Sequence, residues 1–499
     1  MSGELSVGIE RPGEDVLDVP IAREDVEGRV RTMASTPSAR FADFFGSVED
    51  GQLTIRLVWA LDQGGRYVVF RWPARGTGYP PVSNVAPGAY VEECEIYEQF
   101  GVMPGEGKTL NRLVIPPHAE RDFPRLGEAP PKELPLPHAP YYVSGEAIEF
   151  PVGPVRGVGQ ESLYIGLVTS GEEVIDLYLL QWHKHRGIER RLRGLRPERA
   201  VFFVERLEGL SAVGNAWAFC NALERIANVT PAPDVERSRG VALELERMYN
   251  HIGAIAALCQ ATGLAVGQAQ VEILLDELLR LNAAAFGHRY LFGILAPGGV
   301  TRAPERDAIT AGLPRILGDV RRLLDSLWAT NSFVDRLESC GVVTADQATR
   351  LGLVGPVARA SGVDIDTRRD HPFGAYQDVG IDVALRSKGD VMSRMSVMAS
   401  EIDESARVVD RLLELGVGGG APELPTAPGS ALGWCESARG ESLAWVAVDR
   451  NGCILRARLR PASVRNWRAF DDAARSRNVF TDIPIVEASF WLTVAGLAR

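Results

Sequence analysis

The chain has 499 residues, 45% hydrophobic and 24% charged, with a formal net charge of -11 at pH 7. That length allows two or three domains, the balance is that of an ordinary soluble globular protein, and the negative charge excludes general nucleic-acid binding, which needs a basic surface. The six cysteines (Cys94, Cys220, Cys259, Cys340, Cys435 and Cys453) are spread so widely that no CxxC pair exists, which suits free thiols in a reducing compartment.

Residues 1–39 are polar, acidic and carry no apolar stretch of the kind a secretory signal needs, so a flexible tail is expected there. Residues 40–115 read as α+β. Leu53, Ile55 and Leu57 alternate with Thr54 and Arg56 as in a half-buried strand. Asp62-Gln63-Gly64-Gly65 then turns the chain into Tyr67-Val68-Val69-Phe70, a hairpin. Glu93 to Val102 predicts a short helix stopped by Gly101. Residues 116–140 hold eight prolines, which neither continue a helix nor donate to a sheet, so they predict an extended linker.

From 141 onward the period is helical. Four apolar stripes step by three and four: Val241 to Cys259, Leu274 to Ala285, Ile316 to Leu327 and Met395 to Leu412. Together they predict a helical bundle core. Ile252–Val271 lacks Asp, Glu, Lys and Arg, but its glutamines and glycines point to a buried helix and a loop rather than a membrane span. Gly418 to Pro422 marks a loop, and Asn451-Gly452 a hairpin turn between strands at 443–460.

Several segments carry charge in unusual settings. Lys184–Arg199 has seven basic and two acidic residues, which fits either a solvated helix face or a surface for an acidic subunit. His183 and His185, two apart, point to different sides and do not share a metal ion. Glu205, Glu208 and Glu224 stand among apolar residues. Buried, they would hold protons more tightly unless paired; alternatively Arg206 pairs with one and the others face water. Gly355 to Arg369, rich in Arg and Asp and broken by Gly and Pro, reads as a loop. No dinucleotide fingerprint, P-loop, HExxH or GxSxG is present, so the chain is not expected to bind NAD itself.

Three ordered segments carry a resemblance: His185-Arg186-Gly187-Ile188-Glu189; Glu205-Arg206 with Glu244 to His251 (ELERMYNH); and Gly355-Pro356 through Arg368 with Tyr376. They resemble the 49-kilodalton subunit of respiratory complex I and the homologous large subunit of membrane-bound nickel–iron hydrogenases. Glu93–Val102 resembles the 30-kilodalton complex I subunit, and the fusion of the two is similar to the formate hydrogenlyase large subunit. Glu436-Ser437-Ala438-Arg439-Gly440, Pro461-Ala462-Ser463, Asn466-Trp467 and Asp482-Ile483-Pro484 resemble the hydrogenase C-terminal motifs. The resemblance implies an α+β N-terminal domain (40–115) joined to a mainly α domain with peripheral β structure (141–499).

In those hydrogenases four cysteines in two CxxC pairs hold nickel and iron, because soft sulfur suits that centre. Here the aligned positions are Glu208, Ser211, Thr493 and Gly496, and Asn215 replaces a histidine. The resemblance therefore implies no nickel–iron centre and no metal on this chain. Glu189 matches the proton-transfer glutamate and Arg439 the arginine over the active site. The loop Gly153–Ser162 lacks the histidine that complex I relatives place near a quinone, while Tyr164 and Tyr249 offer hydroxyls.

The expected protein is a redox-complex subunit without a membrane span of its own, cytoplasmic and peripheral on the inner face of the cell membrane. Its partners are a small iron–sulfur subunit carrying a [4Fe-4S] cluster and membrane-arm subunits. A quinone-like acceptor would sit in the vacated metal cavity, with Glu189, Glu208 and Arg439 as catalytic groups and Ser211, Asn215, Thr493, Gly496 and Tyr164 around the acceptor. The alternative is a structural subunit with that cavity collapsed, filled by Trp217 or Trp491. An active hydrogenase is the least compatible with the missing sulfur.

Overall fold

The computed structural model describes residues 15–49, 51–74, 78–105, 110–116, 147–157, 160–475 and 477–499. An N-terminal α+β region precedes a mainly helical region with small peripheral sheets. Strands β1 (Val16–Pro20), β2 (Ala39–Glu49), β3 (Gln52–Leu61) and β4 (Arg66–Pro73) form one sheet in the order β1-β4-β3-β2, with β1 parallel to β4 and the other pairs antiparallel. Helices α1 (Val26–Ala34) and α2 (Tyr90–Phe100) pack on it, and Gly101 ends α2 with a left-handed φ of 76°, a conformation glycine adopts without strain.

The flexible tail expected over 1–39 is contradicted from residue 15 onward. Leu17, Val19, Val26, Val30 and Met33 are buried in the core of the N-terminal region, and that apolar burial is what orders the segment. Residues 1–14, and the proline-rich linker from 117 to 140, lie outside the described residues. The predicted hairpin is β3–β4. It is not half-buried, however. Leu53, Ile55, Leu57 and Trp59 face the local core, while Val58, Ala60, Tyr67 and Val69 on the other face join the core of the helical region. Arg56, on that second face, is buried with its guanidinium 4.4 Å from the Trp445 ring centroid.

The second region opens with the sheet β5-β6-β7 (Ile148–Val152, Tyr164–Ser170, Glu173–Leu180) and continues through α3 (Ile188–Leu192), α4 (Pro197–Val204), α5 (Ala212–Ala227), α6 (Pro233–Ala261) and α7 (Ala265–Phe286). A two-stranded ribbon, β8 (Leu295–Ala296) and β9 (Gly299–Val300), leads to α8 (Arg306–Trp328), α9 (Asn331–Leu337), α10 (Ala345–Leu351), α11 (Gly355–Ala360), α12 (Thr367–Asp370) and α13 (Val391–Leu415). The antiparallel sheet β10-β11-β12 (Gly429–Ser437, Gly440–Val448, Ile454–Arg460) and α14 (Ala462–Asn466), α15 (Phe470–Arg475) and α16 (Ile483–Phe490) complete it.

Helix α6 is central, in contact with α5, α7, α13 and α16, while α8 covers α7. The four predicted stripes fall on α6, α7, α8 and α13. Yet α6 is buried on every side, including Glu244, Glu246, Arg247, Asn250 and His251. The loop expected after Cys259 shrinks to the turn Thr262-Gly263-Leu264 before α7. Among the described residues, no helix is long and apolar enough to cross a membrane.

Gly355 to Arg369 is likewise not a plain loop: α11 and α12 place Arg359, Asp366 and Arg368 in the interior. Arg368 pairs with Asp366 at 2.7 Å and Glu244 at 3.1 Å, and Arg359 with Glu401 at 2.8 Å and Glu436 at 3.0 Å. Burial raises the proton affinity of Glu244, but Arg247 and Arg368 beside it hold its carboxyl at about 2.

The two regions are joined by charge. Strand β12 alternates Arg456, Arg458 and Arg460 on one face, all buried. Arg458 meets Asp43 of β2 at 2.9 Å and Glu95 of α2 at 2.7 Å. Arg460 and Arg40 share Glu441, which also accepts from the Tyr67 hydroxyl at 2.7 Å. Arg465 and Arg468 converge on Glu92. Buried guanidinium groups need such partners, since leaving one uncompensated costs about 3–5 kcal/mol.

Burial pushes the Asp43 carboxyl up, yet Arg458 beside it holds it at about 2. The unfolded value is about 3.9, so this stabilisation is complete above roughly pH 5 and is lost as pH falls toward 2. Asp43→Ala should lower unfolding stability at pH 7 by about 3–5 kcal/mol in urea titration. Asp43→Leu with Arg458→Met should recover most of it.

Candidate functional site

The four positions that the resemblance set against metal-binding cysteines come together. Glu208 and Ser211 lie between α4 and α5, and Thr493 and Gly496 in the turn after α16. Thr493 Oγ1 donates to Glu208 Oε1 at 2.5 Å, and the Gly496 amide donates to Thr493 Oγ1 at 3.1 Å. Arg439, at the β10–β11 turn, donates through Nη1 to Ser211 Oγ at 2.6 Å and lies 3.4 Å from Glu208 Oε2. Its other donors reach the Trp491 carbonyl and Asn250 Oδ1. The side chains of Glu208, Ser211, Asn250, Arg439 and Thr493 are all buried.

Glu208 thus occupies the middle of the cluster. A Cβ at Gly496 would sit 2.3 Å from Glu208 Oε1, so the absence of a side chain there makes room for the carboxylate. One carboxylate, two hydroxyls and a residue with no side chain do not fit a nickel–iron centre, which needs thiolates. Among the described residues, no group of three or more His, Cys, Asp or Glu is placed to hold a metal ion.

Beside this cluster lies a cavity of about 840 Å³, within the range of small-molecule sites. Its walls come from Gly209 and Leu210 before α5, Tyr249, Gly253, Ala256 and Ala257 of α6, Leu275 of α7, and Trp491 to Val494. Thr493 and Trp491 form the boundary between cavity and cluster. Trp491 Nε1 donates to Asn250 Oδ1 at 3.0 Å, which fixes the indole as a wall rather than a plug. Trp217, the other candidate plug, instead packs on Phe373 and Tyr376.

Arg156 and Glu161 close another side. Arg156 pairs with Glu487 of α16 at 2.8 Å, and Glu161 accepts from the Val494 and Ala495 amides and from Lys184. On the far side of the C-terminal turn, a cavity of about 410 Å³ is lined by Glu95, Leu497, Ala498 and Arg499.

The remaining sequence candidates lie elsewhere. Glu189 is buried, but it accepts from Arg456 at 2.7 Å, Arg499 at 3.2 Å and the Leu459 amide at 2.8 Å, so it belongs to the charged seam. Tyr164 on β6 donates to Glu149 at 3.1 Å and does not line the large cavity. Asn215 is buried in α5 with its amide nitrogen unpartnered. Glu205 pairs with Arg206, and Glu224 with Arg239 at 2.6 Å.

Sequence reasoning did not single out Asn250 or Glu246, and it considered Trp491 only as a plug for the cavity. Glu246 accepts from the Val213 and Gly214 amides at 2.7 and 2.9 Å, capping α5 from a neighbouring helix. The spacing of Glu246, Tyr249, Asn250 and Gly253 (three, four and seven) was the available signal, since it puts them on one helix face.

Residues 274–422, from α7 to the approach to β10, match the family model of the respiratory-chain NADH dehydrogenase 49-kilodalton subunit. The chain is 26% identical to formate hydrogenlyase subunit 5 of Escherichia coli over 474 residues, covering 89% of this chain and 82% of that protein. It is 28% identical to a carbon monoxide-induced hydrogenase of Rhodospirillum rubrum (67% and 95% covered) and 25% identical to an NADH-quinone oxidoreductase component of Roseiflexus sp. (69% and 96%). The first of these similarities reaches across both regions of the fold.

The packing of Gly496 against Glu208 is directly testable. Gly496→Ala should destabilise the protein by about 1–3 kcal/mol, as overpacking does. In a Glu208→Ala background the same change should cost much less, so a double-mutant cycle by thermal or urea unfolding should show strong coupling.

Proposed function

We propose that this chain is the cavity-bearing subunit of a membrane-associated oxidoreductase complex of the complex I and formate hydrogenlyase kind. Electrons would come from a [4Fe-4S] cluster on a small partner subunit and pass to a quinone-like acceptor. No nickel–iron centre takes part. Membrane-arm partners would hold the chain at the inner face of the cell membrane. The reading rests on one juxtaposition: the position aligned with the metal is filled by Glu208 and Arg439, while a large cavity stays open against Thr493 and Trp491.

The cavity suits a quinone. One side of its wall is Gly, Ala, Leu, Tyr and Trp, against which a flat, uncharged ring system can lie, while Arg156, Glu161 and Glu487 put polar groups on another side. Arg439 and Glu208 lie behind that wall as a buried pair, and the arginine stabilises negative charge developing on a reduced acceptor. The 28% and 25% identities to hydrogenase and NADH-quinone oxidoreductase proteins support the class. A structural subunit is the second reading, and the filled metal position speaks for it.

Purified complex should reduce a short-chain quinone and contain iron without stoichiometric nickel by elemental analysis. Ala257→Trp, which fills the cavity from α6, should abolish quinone reduction while the complex still assembles. Unchanged turnover in that variant would decide for the structural reading, and stoichiometric nickel would overturn the proposal.

A further inference from the structure

Resting on the acceptor reading above, we infer that Tyr249 hands a proton to the acceptor in the large cavity and that Glu246, one helical turn behind it, resupplies that proton. Tyr249 lines the cavity, edge-on to Tyr290 with ring centroids 5.9 Å apart. Its hydroxyl stands 3.4 Å from the Leu210 carbonyl and 3.5 Å from Glu246 Oε2. Both contacts are long, as donor contacts commonly are before substrate arrives. Glu246 is fully buried and capped by two amides of α5, and the Tyr249 hydroxyl is what links it to the cavity.

The surroundings favour proton exchange at Glu246 near neutrality. Burial raises its carboxyl to about 7 against the opposing pull of the Val213 and Gly214 amides, Arg439 and Arg247. The groups facing it are Arg439 and Cys435 from β10 and its turn, Arg247 and Tyr249 from its own helix, and amides alone from α5. Burial first, and the Glu246 charge second, raise the Tyr249 hydroxyl well above its ordinary value, so it stays protonated until the acceptor demands the proton. Glu189, the residue the family resemblance suggested for this task, is locked between Arg456 and Arg499 in the interdomain seam.

The quinone takes two electrons, one at a time, from the partner's iron–sulfur cluster. The Tyr249 O–H bond breaks and a quinol O–H bond forms on the nearer oxygen. The tyrosinate takes the Glu246 proton, and before the next turnover cavity water protonates the Tyr249 oxygen as its hydroxyl proton passes back to Glu246. The second quinol proton comes from water on the cavity side. Tyr249 is the catalytic residue; Glu246, acting through it, is a positioning residue.

The test uses the assembled complex with a short-chain ubiquinone, reading quinone binding and steady-state reduction from about pH 5.5 to 8.5, a window that spans the donor's titration. Wild type should bind and reduce it, with kcat falling as pH rises through about 7, because the donor form of Glu246 is then lost. Tyr249→Phe should lower kcat by about 100-fold or more, the usual range for a lost general acid, with quinone affinity within about twofold. Glu246→Gln should remove the fall in kcat near pH 7, and Glu246→Asp should restore it. A Tyr249→Phe complex that turns over at the wild-type rate overturns this inference alone. A wild-type complex that binds no quinone overturns the acceptor reading and this inference with it.

Discussion

A guanidinium group taken out of water must find carboxylates or carbonyls, and much of this fold is arranged around that demand. Eight of its largest fully buried side chains are arginines: 239, 247, 359, 368, 394, 458, 460 and 465. Each one that pairs draws two or more segments together. Arg359 ties α11 to α13 and β10, Arg368 ties α12 to α6, and Arg458 ties β12 to β2 and α2. Isolated surface pairs of this kind contribute little, but a desolvated network fixes which segments can be neighbours, because any other register leaves charge stranded. The N-terminal sheet is consequently a built-in layer of the molecule, buried on both faces.

The site follows from the same rule on a smaller scale. Arg439 needs acceptors, and Glu208, Ser211, Asn250 and the Trp491 carbonyl supply them. Those contacts join the loop before α5, helix α6, the β10–β11 turn and the C-terminal turn. Charge and hydroxyl pairing cross-link that junction. Thr493 and Trp491 form an uncharged wall beside it, against which the large cavity stays open.

Much of the fold was legible because its signals are periodic and local. The stripes beginning at Val241, Leu274, Ile316 and Met395 mark true helices, and Asp62–Gly65 marks a true hairpin turn. Two of the misreadings share one cause. Periodicity reports which residues avoid water, but a buried arginine looks like a solvated one in sequence. Arg359 and Arg368 therefore read as part of a loop, and Arg56 as the exposed side of a half-buried strand. The site was legible only by alignment of motif to motif. That procedure named Glu208, Ser211, Thr493, Gly496 and Arg439, which the fold brings next to one another. It also carried over Glu189, whose neighbours here come from β12 and the C-terminal Arg499, which the motif does not contain.

The C-terminal turn is a partition with a different chamber on each side. Residues 491–494 face the large cavity, and residues 497–499 face the smaller one against α2. Its ties run both ways: the Thr493 hydroxyl to Glu208 and its carbonyl to Trp467, the Val494 and Ala495 amides to Glu161, and Arg499 to Glu95 and Glu189. The turn is therefore a wall shared by two cavities. An occupant that displaced Thr493 would disturb a turn whose other end Arg499 ties to α2, in a layer of the molecule that never touches the occupant.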